Sequence, residues 1–124
     1  MQRYIVLYLA PAGVAERFAR ATPEEAQQGM KLWGVWADKI GTALVDPGKP
    51  LGNAMLVTKT GITQTDSKII GMSILQANTM DEALDMVKNH HHLHWADHDP
   101  QLLDWADKCE ILVLEEVPIP ELQA

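Results

Sequence analysis

The sequence predicts an α+β domain built on an antiparallel sheet, and three observations carry that expectation. Short runs rich in β-branched, aromatic and aliphatic residues recur along the chain. Two segments open with helix-start chemistry and continue at three- and four-residue apolar spacing. The two kinds alternate as strand, helix, strand, strand, helix, strand. With 124 residues, the chain matches the usual size of one domain, so residues 1–124 are read as a single unit. Apolar residues make up 47% and charged residues 22%, which suits a packed globular core.

Each element has a local reason. Arg3 to Leu9 is strand-like and is stopped by Pro11 and Gly13. Val14 to Ala21 reads as a helical turn. Thr22 then caps the first helix, with Pro23 at its first position and Glu25 three residues after the cap. Ala26, Met30, Trp33, Ala37, Ile40 and Leu44 follow on one face over about six turns. Gly29 and Gly34 each weaken that helix by about 1 kcal/mol relative to Ala, with close packing against a sheet as the expected compensation. Asp46-Pro47-Gly48 reads as the turn after it. Ala54 to Thr60 and Ile69 to Ala77 read as the two middle strands, joined through the polar stretch Gly61 to Lys68. Thr79 caps the second helix, where Asp81 and Glu82 suit the dipole and Ala83, Leu84, Met86 and Val87 form the buried stripe. Pro100 to Lys108 reads as a further short helix, and Glu110 to Val117 as the last strand. The order βαββαβ is the ferredoxin-like pattern.

Charge and cysteine content exclude several classes of function. The net charge is −7 with neutral histidines, and the ten Lys and Arg residues are scattered. That argues against a nucleic-acid binder or a protein of anionic membrane surfaces. No apolar run approaches the ~20 residues that span a bilayer. Tyr4 to Ala10 is at the short limit for a secretory core and reads better as a first strand. One cysteine, Cys109, forms no internal disulfide and reads as an inert thiol at the start of a buried strand. The expectation is a cytoplasmic protein.

The strands predict a partner. A sheet with helices on one face and water on the other alternates apolar and polar residues. YIVLYL, IIGMSIL and ILVL are apolar on both sides, so a second copy of the same sheet is the economical cover, with Pro100 to Lys108 as a segment that could cover part of it. A homodimer through the sheet face is expected.

The opening RYIVLY, the TPEE-capped helix bearing Trp, the phrase GTALVDPGKPLG (Gly41 to Gly52), GMSILQANTMDEALDMVKNHHHL and the closing LEEVPIPEL resemble the YCII-related proteins. The similarity covers most of the chain, with gaps at Val14 to Ala21 and Trp95 to Lys108. It implies a dimeric α/β barrel of ferredoxin-like protomers whose chemistry is largely unassigned. Some members have a proposed His–Asp pair with the His on the first helix. No His lies on the first helix of this sequence, so that pair does not carry over. His92-Leu93 matches the "His-Leu" that follows the second helix in the family, with His91 where Pro usually stands.

His90, His91, His92 and His94 concentrate near-neutral proton chemistry in five residues, with His98 close behind. In one reading the protein is an enzyme or small-molecule binder with a pocket between sheet and first helix. His92 is then the acid/base, Asp46 its orienter, and Trp33, Trp36 and Met72 the apolar walls, with His90, His91 and His94 as further ligand contacts. The plainer readings are core packing for the tryptophans, an own-backbone turn bond for Asp46, and a helix-end role for His92. No cofactor is expected. A second reading is a transition-metal site from His90, His94 and His98 with Asp97 or Asp99, given that His90 and His94 share a face if the helix continues. A third is a non-catalytic dimeric sensor or interaction module.

Overall fold

The computed structural model describes residues 1–11, 21–94 and 108–118. Its elements are β1 (Gln2–Leu9), α1 (Pro23–Ile40), a 3-10 turn (Gly41–Ala43), β2 (Leu44–Pro50), β3 (Met55–Thr58), β4 (Gly61–Gln64), β5 (Ile69–Ala77), α2 (Met80–Val87), a second 3-10 turn (His91–Leu93) and β6 (Glu110–Glu115). Four strands form an antiparallel sheet in the order β2-β5-β1-β6, and β3 and β4 pair separately. This α+β arrangement is compatible with a ferredoxin-like fold. The expected helical turn near Val14 and the short helix after Pro100 fall largely outside the described residues.

Both helix starts form as their sequences dictate. The Thr22 side chain accepts from the Glu25 N–H at 3.1 Å while Glu25 reaches back to the Thr22 N–H at 3.4 Å, which satisfies two free donors reciprocally. At α2, Thr79 accepts from the Glu82 N–H, and the Glu82 carboxylate accepts from the Asn78 N–H.

The sheet buries one face under both helices. Tyr4, Val6 and Tyr8 of β1 alternate inward, as do Ser73, Leu75 and Ala77 of β5. They meet Trp36 of α1 and Ala83 and Val87 of α2 in one core, with Trp33, Met86, Ile111 and Val113 packed at its margin. Ile5, Leu7, Leu9, Met72 and Ile74 point to the opposite face and are half-buried, while Leu112 and Leu114 are exposed there. The apolar composition of both faces is thus visible in the fold. Cys109 is buried just before β6.

Four expectations need correction. First, α1 ends at Ile40, because Gly41 takes a left-handed φ of +65° and its N–H closes onto the Ala37 carbonyl; Leu44 belongs to β2. Second, the strand beside β5 on the side away from β1 is β2, and it runs through Asp46-Pro47-Gly48. Pro47 and Gly48 form an irregularity between the pairs Asp46–Ile74 and Lys49–Met72, a bulge where a turn was expected. Residues 55–64, read as a middle strand and loop, form the separate hairpin instead. Third, Ala26 and Met30 of α1 are exposed, as is Leu84 of α2. Fourth, a Cβ placed on Gly29 or Gly34 meets nothing within 4 Å, so close packing against a sheet is not what keeps either glycine.

Gly48 is the opposite case. Its φ is +100°, and a Cβ there would land on the Met72 carbonyl and 2.7 Å from Ser73 Oγ. Gly48→Ala is therefore expected to destabilise the fold severely, read as a large drop in melting temperature. Gly29→Ala and Gly34→Ala should each stabilise it by about 0.5–1 kcal/mol in denaturant unfolding.

Candidate functional site

The Pro47 carbonyl, turned by the bulge, collects two hydrogen bonds. Trp33 Nε1 of α1 donates to it at 3.0 Å, and Ser73 Oγ of β5 donates at 2.9 Å. Because the single hydroxyl proton of Ser73 goes to Pro47, the Tyr8 phenol is the donor in its 2.9 Å bond to Ser73 Oγ. Burial pushes the Tyr8 phenol up to about 12, against the lowering effect of Ser73. Its proton therefore stays in place across the physiological range. One turn further along α1, Trp36 Nε1 donates to the Met86 carbonyl in the last turn of α2 at 2.9 Å, satisfying an acceptor that the helix itself cannot.

The histidine run packs into this frame. α2 stops at Val87, and His90 is extended, with φ −61° and ψ 141°. His90 has no exposed surface. Its ring lies 4.5 Å from Trp36, 4.9 Å from Tyr8 and 5.0 Å from Trp33 between centroids, and stacks on His91 at 4.3 Å and 27°. His90 Nδ1 accepts from the His92 N–H at 3.0 Å, capping the 3-10 turn. The neutral ring therefore carries its proton on Nε2. That Nε2 is buried and unpartnered, and so is His91 Nδ1. Burial, with smaller effects from His91 and His92, lowers His90 to about 3; burial and His92 lower His91 to about 4. Both rings are neutral at pH 7.

His92 has a different position. Its Nε2 meets the Leu9 carbonyl at 2.9 Å, tying the 3-10 turn to the end of β1. Burial lowers its pKa, and the backbone of Leu9 and Glu110 opposes that. The ring nitrogen expected to act as acid/base is thus engaged with main chain.

Of the residues singled out in the sequence, the fold brings together Trp33, Trp36, His90 and His91, with His92 5.4 Å from Tyr8 at the edge. Met72 lies on the face of β5 turned away from the helices, opposite to Ser73. Asp46 pairs across the ladder with Ile74, and Oδ1 accepts from the Gly48 N–H at 2.8 Å while Oδ2 lies 3.9 Å from Lys49 Nζ. That is turn chemistry. His94 is exposed at the end of the 3-10 turn. Because α2 does not continue, His90 and His94 are not helical neighbours. His98, Asp97 and Asp99 lie outside the described residues, and among those described no three His, Cys, Asp or Glu side chains group to hold a metal ion. No described helix is long and apolar enough to cross a membrane. Tyr8 and Ser73 escaped the sequence reading; the signal for them was Ser73, a lone hydroxyl inside the apolar run IIGMSIL.

No family model and no curated protein matches the chain. The site must be read from its own geometry.

Neutral buried imidazoles make folding depend on acid. Above pH ~6.5 His90 and His91 are neutral in both folded and unfolded chain. Below it the unfolded chain binds protons that His90 and His91 refuse until about 3 and 4. Stability is therefore full above pH ~6.5 and falls as the pH drops toward 3, on the order of a few kcal/mol in all. His90→Asn keeps an acceptor for the His92 N–H and removes one titrating ring. It should flatten the pH dependence of urea midpoints between pH 6.5 and 4; an unchanged slope excludes His90 as a source of it.

Proposed function

We propose that this protein binds a planar small molecule at His91, in front of the His90–Trp33–Trp36 cluster, as a ferredoxin-like homodimer of the YCII-related type. The observation that carries the reading is the stacked His90–His91 pair, which keeps two buried ring nitrogens without partners among aromatic rings. Leaving such groups unpaired costs about 1–3 kcal/mol each, and groups kept at that cost are candidates for function. His91 is half-buried and is the ring a ligand meets; His90 stands behind it. A neutral imidazole offers one donor and one acceptor, which matches a ligand that sets a carbonyl beside an N–H or O–H on a ring. The chemistry available is proton transfer, or hydrolysis through an activated water. His91, rather than His92, is the general base in this reading, because His92 Nε2 is held by Leu9 and His91 is neutral at pH 7.

The homodimer is proposed through the sheet face that bears Ile5, Leu7, Leu9, Met72, Ile74, Leu112 and Leu114. Its support is the apolar character of that face, where Leu112 and Leu114 are each 44% exposed. A cytoplasmic location fits a chain whose one cysteine allows no internal disulfide.

The test uses a panel of aromatic carboxylic acids and phenols, followed by tryptophan fluorescence. Trp33 is 5.3 Å from His91, so an occupant should quench it. Saturable quenching that His91→Ala weakens about tenfold or more, with the melting temperature within a few degrees of the parent, is the expected result. Binding that survives the substitution intact removes His91 from the site. A ligand-dependent shift of the His91 imidazole signals in NMR, without turnover, would favour a sensor over an enzyme.

A further inference from the structure

Between β2 and β5 the chain leaves the sheet for the β3–β4 hairpin, and every residue of both strands is exposed. The register decides which side chains share a side. Met55 pairs with Gln64 and Val57 with Ile62, so Met55, Val57 and Ile62 line one side and Leu56 and Thr63 the other. The three apolar residues are 57%, 70% and 66% exposed. The hairpin is well closed: Thr58 Oγ1 bonds with Thr60 Oγ1 and the Gly61 carbonyl at the turn, and the Thr65 N–H donates to the Ala54 carbonyl at the base. A two-stranded hairpin standing alone is marginal in water, and an apolar side with open strand edges is a template for association.

We propose that this hairpin is an arm that lays its Met55–Val57–Ile62 side on a second copy of the chain. It completes the sheet-to-sheet dimer proposed above and rests on that reading. Surface area is the first argument. Four strands of six to nine residues, about 4.8 Å apart, give the open sheet face a projected footprint of roughly 500 Å². A stable interface takes about 800 Å² of accessible surface from each partner, and the arm adds exposed apolar surface to what that face offers. Charge is the second. Lys59 is exposed at the hairpin tip, and the edge strand β6 carries exposed Glu110 and Glu115, followed by exposed Glu116. On a chain of net charge −7, a basic tip finds an attractive target in the acidic edge of a partner copy. Closure is the third: each copy carries an arm and an edge, so a two-fold pair engages both arms at once and leaves none open to further copies.

The test is sedimentation equilibrium of the full chain beside two variants, with a photo-reactive residue at position 57 in mixed ¹⁴N and ¹⁵N protein. The expected parent is a dimer. Val57→Lys with Ile62→Lys should raise its dissociation constant about tenfold or more while the far-UV circular dichroism stays unchanged. Cross-links from position 57 should join ¹⁴N to ¹⁵N chains. A dimer unmoved by the double substitution, or cross-links confined within single chains, overturns the arm and leaves the sheet contact standing. Leu112→Lys on the open sheet face tests that contact alone: a dimer that resists it overturns the sheet reading, and with it an arm that completes a sheet-to-sheet pair. A parent that stays monomeric at all concentrations overturns both.

Discussion

The Pro47 carbonyl is the acceptor on which the arrangement of this protein depends. It holds Trp33 of α1 and Ser73 of β5, and through Ser73 it orients the Tyr8 phenol of β1. Three elements distant in sequence are thereby fixed to one point on β2. A regular strand would aim that carbonyl into the ladder. The bulge frees it, and the bulge is possible because Gly48 has no side chain to strike Met72. Remove the geometry and Trp33 loses its anchor; without Trp33, one wall of the histidine cluster goes.

The histidines then read as part of the core rather than as decoration on a helix end. His90 is as buried as Val6 or Leu75, in a place where an aliphatic residue would pack without leaving a polar atom unpaired. What His90 provides that an aliphatic cannot is Nδ1, which caps the 3-10 turn and so presents His91 and His92 in different directions. His92 is spent on Leu9. His91 keeps its Nδ1 unpartnered. Three adjacent residues of one type thus divide into a cap, a reactive candidate and a clasp, and the division is imposed by where α2 stops.

How legible this was depended on whether the deciding interaction was local. Thr22 and Thr79 were readable as caps because each signal and its partner lie three residues apart. The alternation of Tyr4, Val6 and Tyr8 was readable because period two follows from the strand alone. Asp46-Pro47-Gly48 was misread because Pro and Gly signal a turn by their own chemistry, whereas pairing with β5 sets the outcome. The end of α1 was misread because apolar spacing runs on past Gly41, and a positive φ leaves no trace in periodicity. At the site, Trp33, Trp36 and the histidines were legible from residue type and spacing. Tyr8 and Ser73 were not, because their roles exist only after two strands 65 residues apart in sequence are joined.

The two unfinished surfaces of the chain belong to one problem. Helices cover one side of the sheet, and the other side offers Leu112 and Leu114 beside a row of half-buried aliphatics. The hairpin adds three more apolar side chains at its own expense, since exposing Met55, Val57 and Ile62 forgoes about 1.5–3 kcal/mol of burial for each. Among the described residues nothing in a single chain offsets that exposure, and the hairpin presents strand edges that invite association. In the proposed dimer the loss is recovered on both counts, the sheet supplying an apolar floor and the arm supplying reach. In the proposed reading, His91 lies on the helix side of the sheet and the dimer contact on the other, and β1 and β5 link the two because their alternate residues serve each face.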